Sequence, residues 1–136
     1  MYLYWMKKMS FDFDDTLDRY DVQVFAHSLV AKGYDVWIVT SRYNTEGALI
    51  NGWPWIEAQN EKLFKVADDV GIKRENIVFT DHADKIDYLA GKGFLFHLDD
   101  SADELMRIFE NKDEPCFPMN VDWMHWQEDL IEKFEL

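Results

Sequence analysis

The sequence predicts a three-layer α/β fold, a parallel sheet with helices on its faces, and three observations carry that prediction. Short β-prone runs alternate with amphipathic stretches four times along the chain. That order implies parallel strands joined by right-handed helical crossovers. Glycines close the amphipathic stretches at Gly33, Gly71 and Gly91, where a helix would end. The 136 residues, 48% of them apolar and 16% aromatic, suffice for one core and are too few for two.

Residues near 7–13 form a first strand that ends at its acids. Residues 22–32 place Val22, Phe25, Ala26, Leu29 and Val30 on one helical face. Residues 35–40 are a continuous β-prone run, the pattern of a strand buried on both faces. Residues 41–54 read as a loop, with Asn44, Gly47, Asn51, Gly52 and Pro54 as breakers. Residues 55–70 carry Ile56, Leu63, Ala67 and Val70 at helical spacing. A third strand over 77–80, a short helix over 84–90 and a fourth strand over 94–98 follow. Residues 102–110 are helical through Leu105, Ile108 and Phe109. The whole is Rossmann-like over 1–110. Residues 111–120 read as a linker. Residues 121–135 read as a helix bearing Trp123, Met124, Trp126, Leu130, Ile131 and Phe134, which packs on the same domain or on a partner.

The formal net charge is −13, and residues 99–136 hold 12 of the 27 acids but only 3 of the 14 basic side chains. Such a surface repels phosphate backbones, so non-specific nucleic-acid binding is not expected. A short or specifically held nucleotide is compatible with it. The single cysteine, Cys116, permits no internal disulfide and no thiolate zinc cluster, which fits a reducing compartment. No segment has the length and apolarity of a membrane span. At the N-terminus the apolar residues precede the lysines, the reverse of a secretory signal. The expectation is a soluble cytoplasmic protein without membrane contact.

Ligand sites in parallel α/β sheets gather at the carboxyl ends of the strands. Those ends are polar here: Asp12 and Asp14 after the first strand, Thr40 after the second, Asp99 and Asp100 after the fourth. Lys85 opens the helix that leads to the fourth strand. Together these groups make a phosphoryl-transfer set. A carboxylate can attack phosphorus, and magnesium offsets the repulsion of phosphate oxygens. A second carboxylate can move the proton, while a lysine and a hydroxyl orient the transferred group.

The set resembles the haloacid dehalogenase superfamily of phosphohydrolases. Asp12-Phe13-Asp14-Asp15-Thr16-Leu17 matches the first motif at each defined position, with Asp15 where glycine is frequent. Val36-Trp37-Ile38-Val39-Thr40 matches the second motif, Lys85 the third, and Phe94-Leu95-Phe96-His97-Leu98-Asp99-Asp100 the fourth. The resemblance implies that Asp12 is nucleophile and metal ligand. It implies that Asp14 is the general acid/base, with its backbone carbonyl on the metal. Thr40 and Lys85 would hold phosphoryl oxygens, and Thr16, Ser41 and Arg42 would face substrate. The implied cofactor is Mg2+. Asp99 would bind it with either Asp100 or Asp103, since both spacings occur in the family. Lys92, in a Gly-Lys-Gly turn, is the weaker alternative to Lys85.

Structural readings compete at several positions. Ser101-Ala102-Asp103-Glu104 is a capping-box pattern. His97 inside a strand reads as a packed or hydrogen-bonded core residue, whereas His82 near a strand end is a candidate for touching substrate. Trp53-Pro54-Trp55 is a candidate for lining the site entrance.

Only 28 positions separate Asp12 from Thr40 and 45 separate Thr40 from Lys85, and the intervening elements use nearly all of them. Neither gap holds a cap domain. The resemblance therefore points to small cap-less members, nucleotidase-like or polynucleotide 3′-phosphatase-like, acting on a phosphorylated small molecule or nucleotide. Self-association through the C-terminal helix is a further expectation. Two other functions compete. A phospho-accepting switch domain would order its acids, threonine and lysine differently. A catalytically silent binding or assembly protein usually loses the nucleophile or the acid/base, and both are present here.

Overall fold

The structure, a computed structural model, describes residues 6–111 and 116–136. Its strands are β1 (Lys8–Phe11), β2 (Asp35–Thr40), β3 (Ile77–Phe79), β4 (Phe96–Asp99) and β5 (Phe117–Asn120). Its helices are α1 (Tyr20–Ala31), α2 (Thr45–Ile50), α3 (Trp55–Val70), α4 (Ile86–Leu89), α5 (Ala102–Glu110) and α6 (Trp126–Phe134). The five strands form one parallel sheet in the order β3-β2-β1-β4-β5. The chain runs outward from β1 through β2 to β3, then returns to the other side of β1 for β4. The topological switch point, where such sheets bind ligands, therefore lies between β1 and β4.

Strand alternation sorts the core onto two faces. Met9, Phe11, Phe96 and Leu98 belong to the larger cluster, with Phe25 of α1, Leu63 of α3 and Trp126 and Leu130 of α6. Phe11 meets Phe25 and Phe96 edge-on, at centroid separations of 6.2 and 5.8 Å. The other face packs Val39, Leu89, Phe94, Ile108 and Cys116 together. Helix α1 closes as its periodicity predicts: Gly33 takes φ +84°, Tyr34 N–H donates to Leu29 O and Gly33 N–H to Val30 O. Gly71 is fixed twice over. Its φ is +91°, and a Cβ there would stand 3.0 Å from Val30 Cγ1.

Three elements depart from the sequence expectation. The 41–54 stretch is not all loop, because it contains α2. The Asn44 side chain accepts hydrogen bonds from Glu46 N–H and Gly47 N–H, and the helix buries Ala48, which outweighs the weak propensity of Gly47. Within the expected linker over 111–120, residues 112–115 lie outside the described residues and Phe117–Asn120 is strand β5. Its Pro118 is tolerated because β5 is an edge strand that pairs only with β4. The last helix begins at Trp126 rather than 121, leaving Trp123 and Met124 exposed in the preceding turn. Its buried face lies on this chain's own core, where Trp126 meets Phe25 at 5.2 Å. Among the described residues, no helix is long and apolar enough to cross a membrane.

Candidate active site

Asp12 follows β1 and Asp99 ends β4, so the switch point sets two carboxylates side by side. The Asp12 N–H donates to Leu98 O at 2.8 Å, which carries the β1–β4 pairing one residue past the strand. The chain then turns sharply through 13–17. Leu17 N–H donates back to Asp12 O, and Asp15 takes φ +57°, a left-handed conformation uncommon outside glycine. Within this turn Thr16 is fully buried, and its hydroxyl faces Asp12 Oδ2 at 3.4 Å. Its contact is with the nucleophile candidate rather than with solvent.

Lys85, 2% exposed, bridges the two acids. Its Nζ donates to Asp12 Oδ1 at 2.8 Å and to Asp99 Oδ2 at 2.6 Å. Glu104 anchors its backbone, accepting from Lys85 N–H at 2.9 Å. The predicted capping box is thus half used: Ser101 Oγ accepts from Glu104 N–H, but the Glu104 carboxylate serves Lys85. Asp99 Oδ1 accepts from Ser101 N–H at 3.0 Å, and Asp99 Oδ2 also meets His97 Nε2 at 2.7 Å.

One carboxylate oxygen from each of Asp12, Asp99 and Asp100 lies within 4.8 Å of the others. Asp103, exposed in the first turn of α5, is not in this set. Between the two spacings the sequence allows, the structure therefore brings Asp100 to Asp99. The Asp14 carboxylate is not in the set either. It is held at the rim by Arg42, whose Nη2 and Nε donate to its two oxygens at 2.7 and 2.9 Å.

Arg42 is itself held. Nη1 donates to Gln59 O and Asn60 Oδ1, and the guanidinium lies 4.9 Å from the Phe13 ring centroid. Buried Asn60 also donates to Tyr43 O, tying α3 to the loop after β2. Thr40 is buried at the end of β2, its Oγ1 accepting from Arg42 N–H at 3.2 Å. Ser41 contributes its carbonyl, which accepts from His82 N–H. His82 itself is exposed, at φ +66°, with its ring 4.8 Å from Tyr43. Tyr43 also meets Trp53 edge-on at 4.9 Å. Lys92 lies at the opposite end of the sheet, where its carbonyl accepts from Lys8 Nζ.

The charges are unequal. Burial pushes Asp12 up to about 8, with the charge of Asp99 adding to it and Lys85 opposing. Burial also pushes on Asp99, but the hydrogen bond from His97, together with Lys85, outweighs it and holds Asp99 well below the usual carboxylate range. Burial lowers Lys85, yet Asp12 and Asp99 more than compensate, so its ammonium stays charged. Burial raises Asp100 and lowers His97. One ammonium thus faces three carboxyl groups that share a small region. This donor set of hard oxygens fits Mg2+ better than a soft metal.

Sequence reasoning did not find the roles of Glu104 and Asn60. Asn60 left a signal: it interrupts the apolar stripe Ile56, Leu63, Ala67 of α3. Fold and site together define a parallel α/β protein with a carboxylate–lysine cluster at its switch point. Compared with known proteins, the chain matches no family model, no curated protein and no solved structure.

Proposed function

We propose that the chain is a magnesium-dependent phosphomonoesterase of the haloacid dehalogenase type, working through an aspartyl phosphate on Asp12. The observation that carries this reading is the buried Lys85 ammonium shared by Asp12 and Asp99, with Asp100 beside them at the switch point. Asp12, Asp99 and Asp100 are the side chains that would hold Mg2+, which supplies positive charge against the phosphoryl oxygens.

Asp12 Oδ1 is committed to Lys85, so Oδ2 is the attacking oxygen. It forms a bond to phosphorus as the ester P–O bond breaks, and Asp14, which takes up a solvent proton on one oxygen as that oxygen leaves the Arg42 fork, passes it to the departing oxygen. Asp14 then takes a proton from water, whose oxygen attacks the acyl phosphate. Inorganic phosphate leaves, and the Asp12 carboxylate is restored. Lys85 and Thr40 orient the phosphoryl oxygens, and Arg42 sets where the Asp14 carboxylate sits. The substrate is a phosphorylated small molecule or nucleotide, met at the rim by Ser41 and Arg42. The residues between the motifs form α1, β2, α2, α3 and β3, which leaves no stretch there for a cap domain.

The test is phosphate release from a panel of aryl phosphate, nucleoside mono- and bisphosphates, sugar phosphates, a phosphopeptide and a 3′-phosphorylated oligonucleotide. Release that needs magnesium and is abolished in Asp12→Asn is expected. Equal release by Asp12→Asn overturns the assignment of the nucleophile. A chain that binds magnesium but turns over nothing would favour the silent binding protein.

A further inference from the structure

A second polar layer lies one step beneath the carboxylates. The β1–β4 register pairs Ser10 with His97, two residues before Asp12 and Asp99 along the chain. Ser10 and His97 are both fully buried, 87 residues apart in sequence, and joined by a 2.7 Å hydrogen bond between Ser10 Oγ and His97 Nδ1. The other ring nitrogen, Nε2, meets Asp99 Oδ2 at 2.7 Å. Their strand neighbours Met9, Phe11, Phe96 and Leu98 are apolar. Packing alone would be served as well by leucine, and burying a serine and a histidine is unfavourable unless each finds a partner.

We propose that His97 is a positioning residue for Asp99, with Ser10 selecting the ring tautomer that does the positioning. The proposal rests on the reading of Asp99 as a magnesium ligand. A neutral ring facing a carboxylate carries its hydrogen on Nε2, leaving Nδ1 to accept from the Ser10 hydroxyl. The Nε2–H and the Lys85 ammonium together saturate Asp99 Oδ2. Oδ1 accepts from Ser101 N–H and keeps one lone-pair position free. The rotamer of Asp99 is thereby fixed from below, and the oxygen left to face a cation is determined. Ser10 and His97 do not touch the reacting atoms. Buried to 0% exposure, they cannot act as a nucleophile and base on a substrate, although the chain Ser10–His97–Asp99 has the connectivity of one.

The test is magnesium binding measured by titration calorimetry on the full chain, so that it does not depend on a substrate. His97→Leu fills the space without a donor. We expect it to stay folded, with a somewhat lower melting temperature because the buried Ser10 hydroxyl loses its partner, and to bind Mg2+ about 10- to 100-fold more weakly. His97→Gln, whose amide can replace the Nε2–H, is expected to recover part of that loss. Ser10→Ala is expected to lose less than His97→Leu, in the same direction. If Asp99→Asn weakens binding while His97→Leu leaves it unchanged, the positioning role falls and Asp99 remains a ligand. If Asp99→Asn binds Mg2+ as the native chain does, the metal-site reading falls and takes this proposal with it. Should His97→Leu fail to fold, nitrogen NMR of the native chain decides. A neutral ring with its hydrogen on Nε2, shifted by Mg2+, supports the role; a neutral ring with its hydrogen on Nδ1 overturns it, because Nε2 would then have nothing to donate to Asp99, and a doubly protonated ring overturns the tautomer selection by Ser10.

Discussion

The two ends of the sheet treat lysine in opposite ways. At the carboxyl end Lys85 is buried between two carboxylates. At the amino end Lys7 and Lys8 spend their ammonium groups on backbone carbonyls, of Phe134 at 2.7 Å and of Lys92 at 2.8 Å. The amino end also carries a large cavity of about 720 Å³, lined by Phe94, Ile108, Phe109, Cys116, Phe117 and Phe134 among others. That cavity is apolar and lies away from the acids. On the proposed reading, volume therefore does not mark the chemistry in this fold. Buried charge with a fixed partner does, since a charge removed from water persists only where its surroundings are arranged for it.

Two substitutions of similar cost would sharpen the contrast most. Lys85→Met leaves Asp12 and Asp99 facing each other without a cation, a loss of about 3–5 kcal/mol. Ile108→Ala, at the wall of the amino-end cavity, removes fully buried apolar volume for about 2–5 kcal/mol. We expect Mg2+ to restore much of the melting temperature of Lys85→Met and to do no more for Ile108→Ala than it does for the native chain. Turnover should fall about 100- to 1,000-fold in Lys85→Met alone, because an oriented donor to the phosphoryl group is gone. Equal responses of the two variants to Mg2+ would break the comparison.

A smaller effect is expected at the rim. Arg42 and Asp14 are partly exposed, so their ion pair adds little to stability, roughly 0–1 kcal/mol. Its value is geometric: a two-bond fork fixes one carboxylate orientation. Arg42→Ala should lower the melting temperature modestly, through the lost contacts with Gln59, Asn60 and Phe13, and lower kcat by up to about 100-fold. Arg42→Lys should rescue little, since an ammonium cannot make the fork. A stable variant with native turnover would remove Arg42 from the site.

The same contrast explains what was legible in the sequence. Strands β2 and β4 announce themselves as apolar runs, and Asp12, Thr40 and Asp99 stand at strand ends where chain order alone places them. Strand β5 is hidden because Pro118 and Asn120 disguise a four-residue edge strand, whose pairing with β4 is a tertiary event. Helix α2 is hidden because its stability comes from the Asn44 cap and buried Ala48, set against Gly47. At the site, the fork between Asp14 and Arg42 spans 28 residues. Glu104 sits inside a capping pattern that accounts for it locally while its carboxylate serves Lys85. Residue type at a strand end can be read from sequence; the partner that fixes it cannot.

The smallest expected effect concerns whether the two ends open together. Cys116 is buried at the cavity, and burial pushes its thiol up to about 12 from an ordinary 9.0. A thiol whose folded value is raised favours the folded state fully below the unfolded value. That contribution is lost as pH climbs from 9.0 toward 12. Between pH 7 and 9 native Cys116 therefore stays protonated, and a thiol reagent reacts only through an opened form that ionises normally. Cys116 borders β5, an edge strand, and edge elements open locally at less cost than the whole domain. The labelling rate should then rise with pH yet change less than about twofold on adding Mg2+, because a local opening leaves the carboxylate cluster intact. Slowing in proportion to the stability that Mg2+ confers would mean that Cys116 is reached only by global unfolding. The amino end would then be no more independent of the site than β1 and β4 themselves, the two strands that run through both.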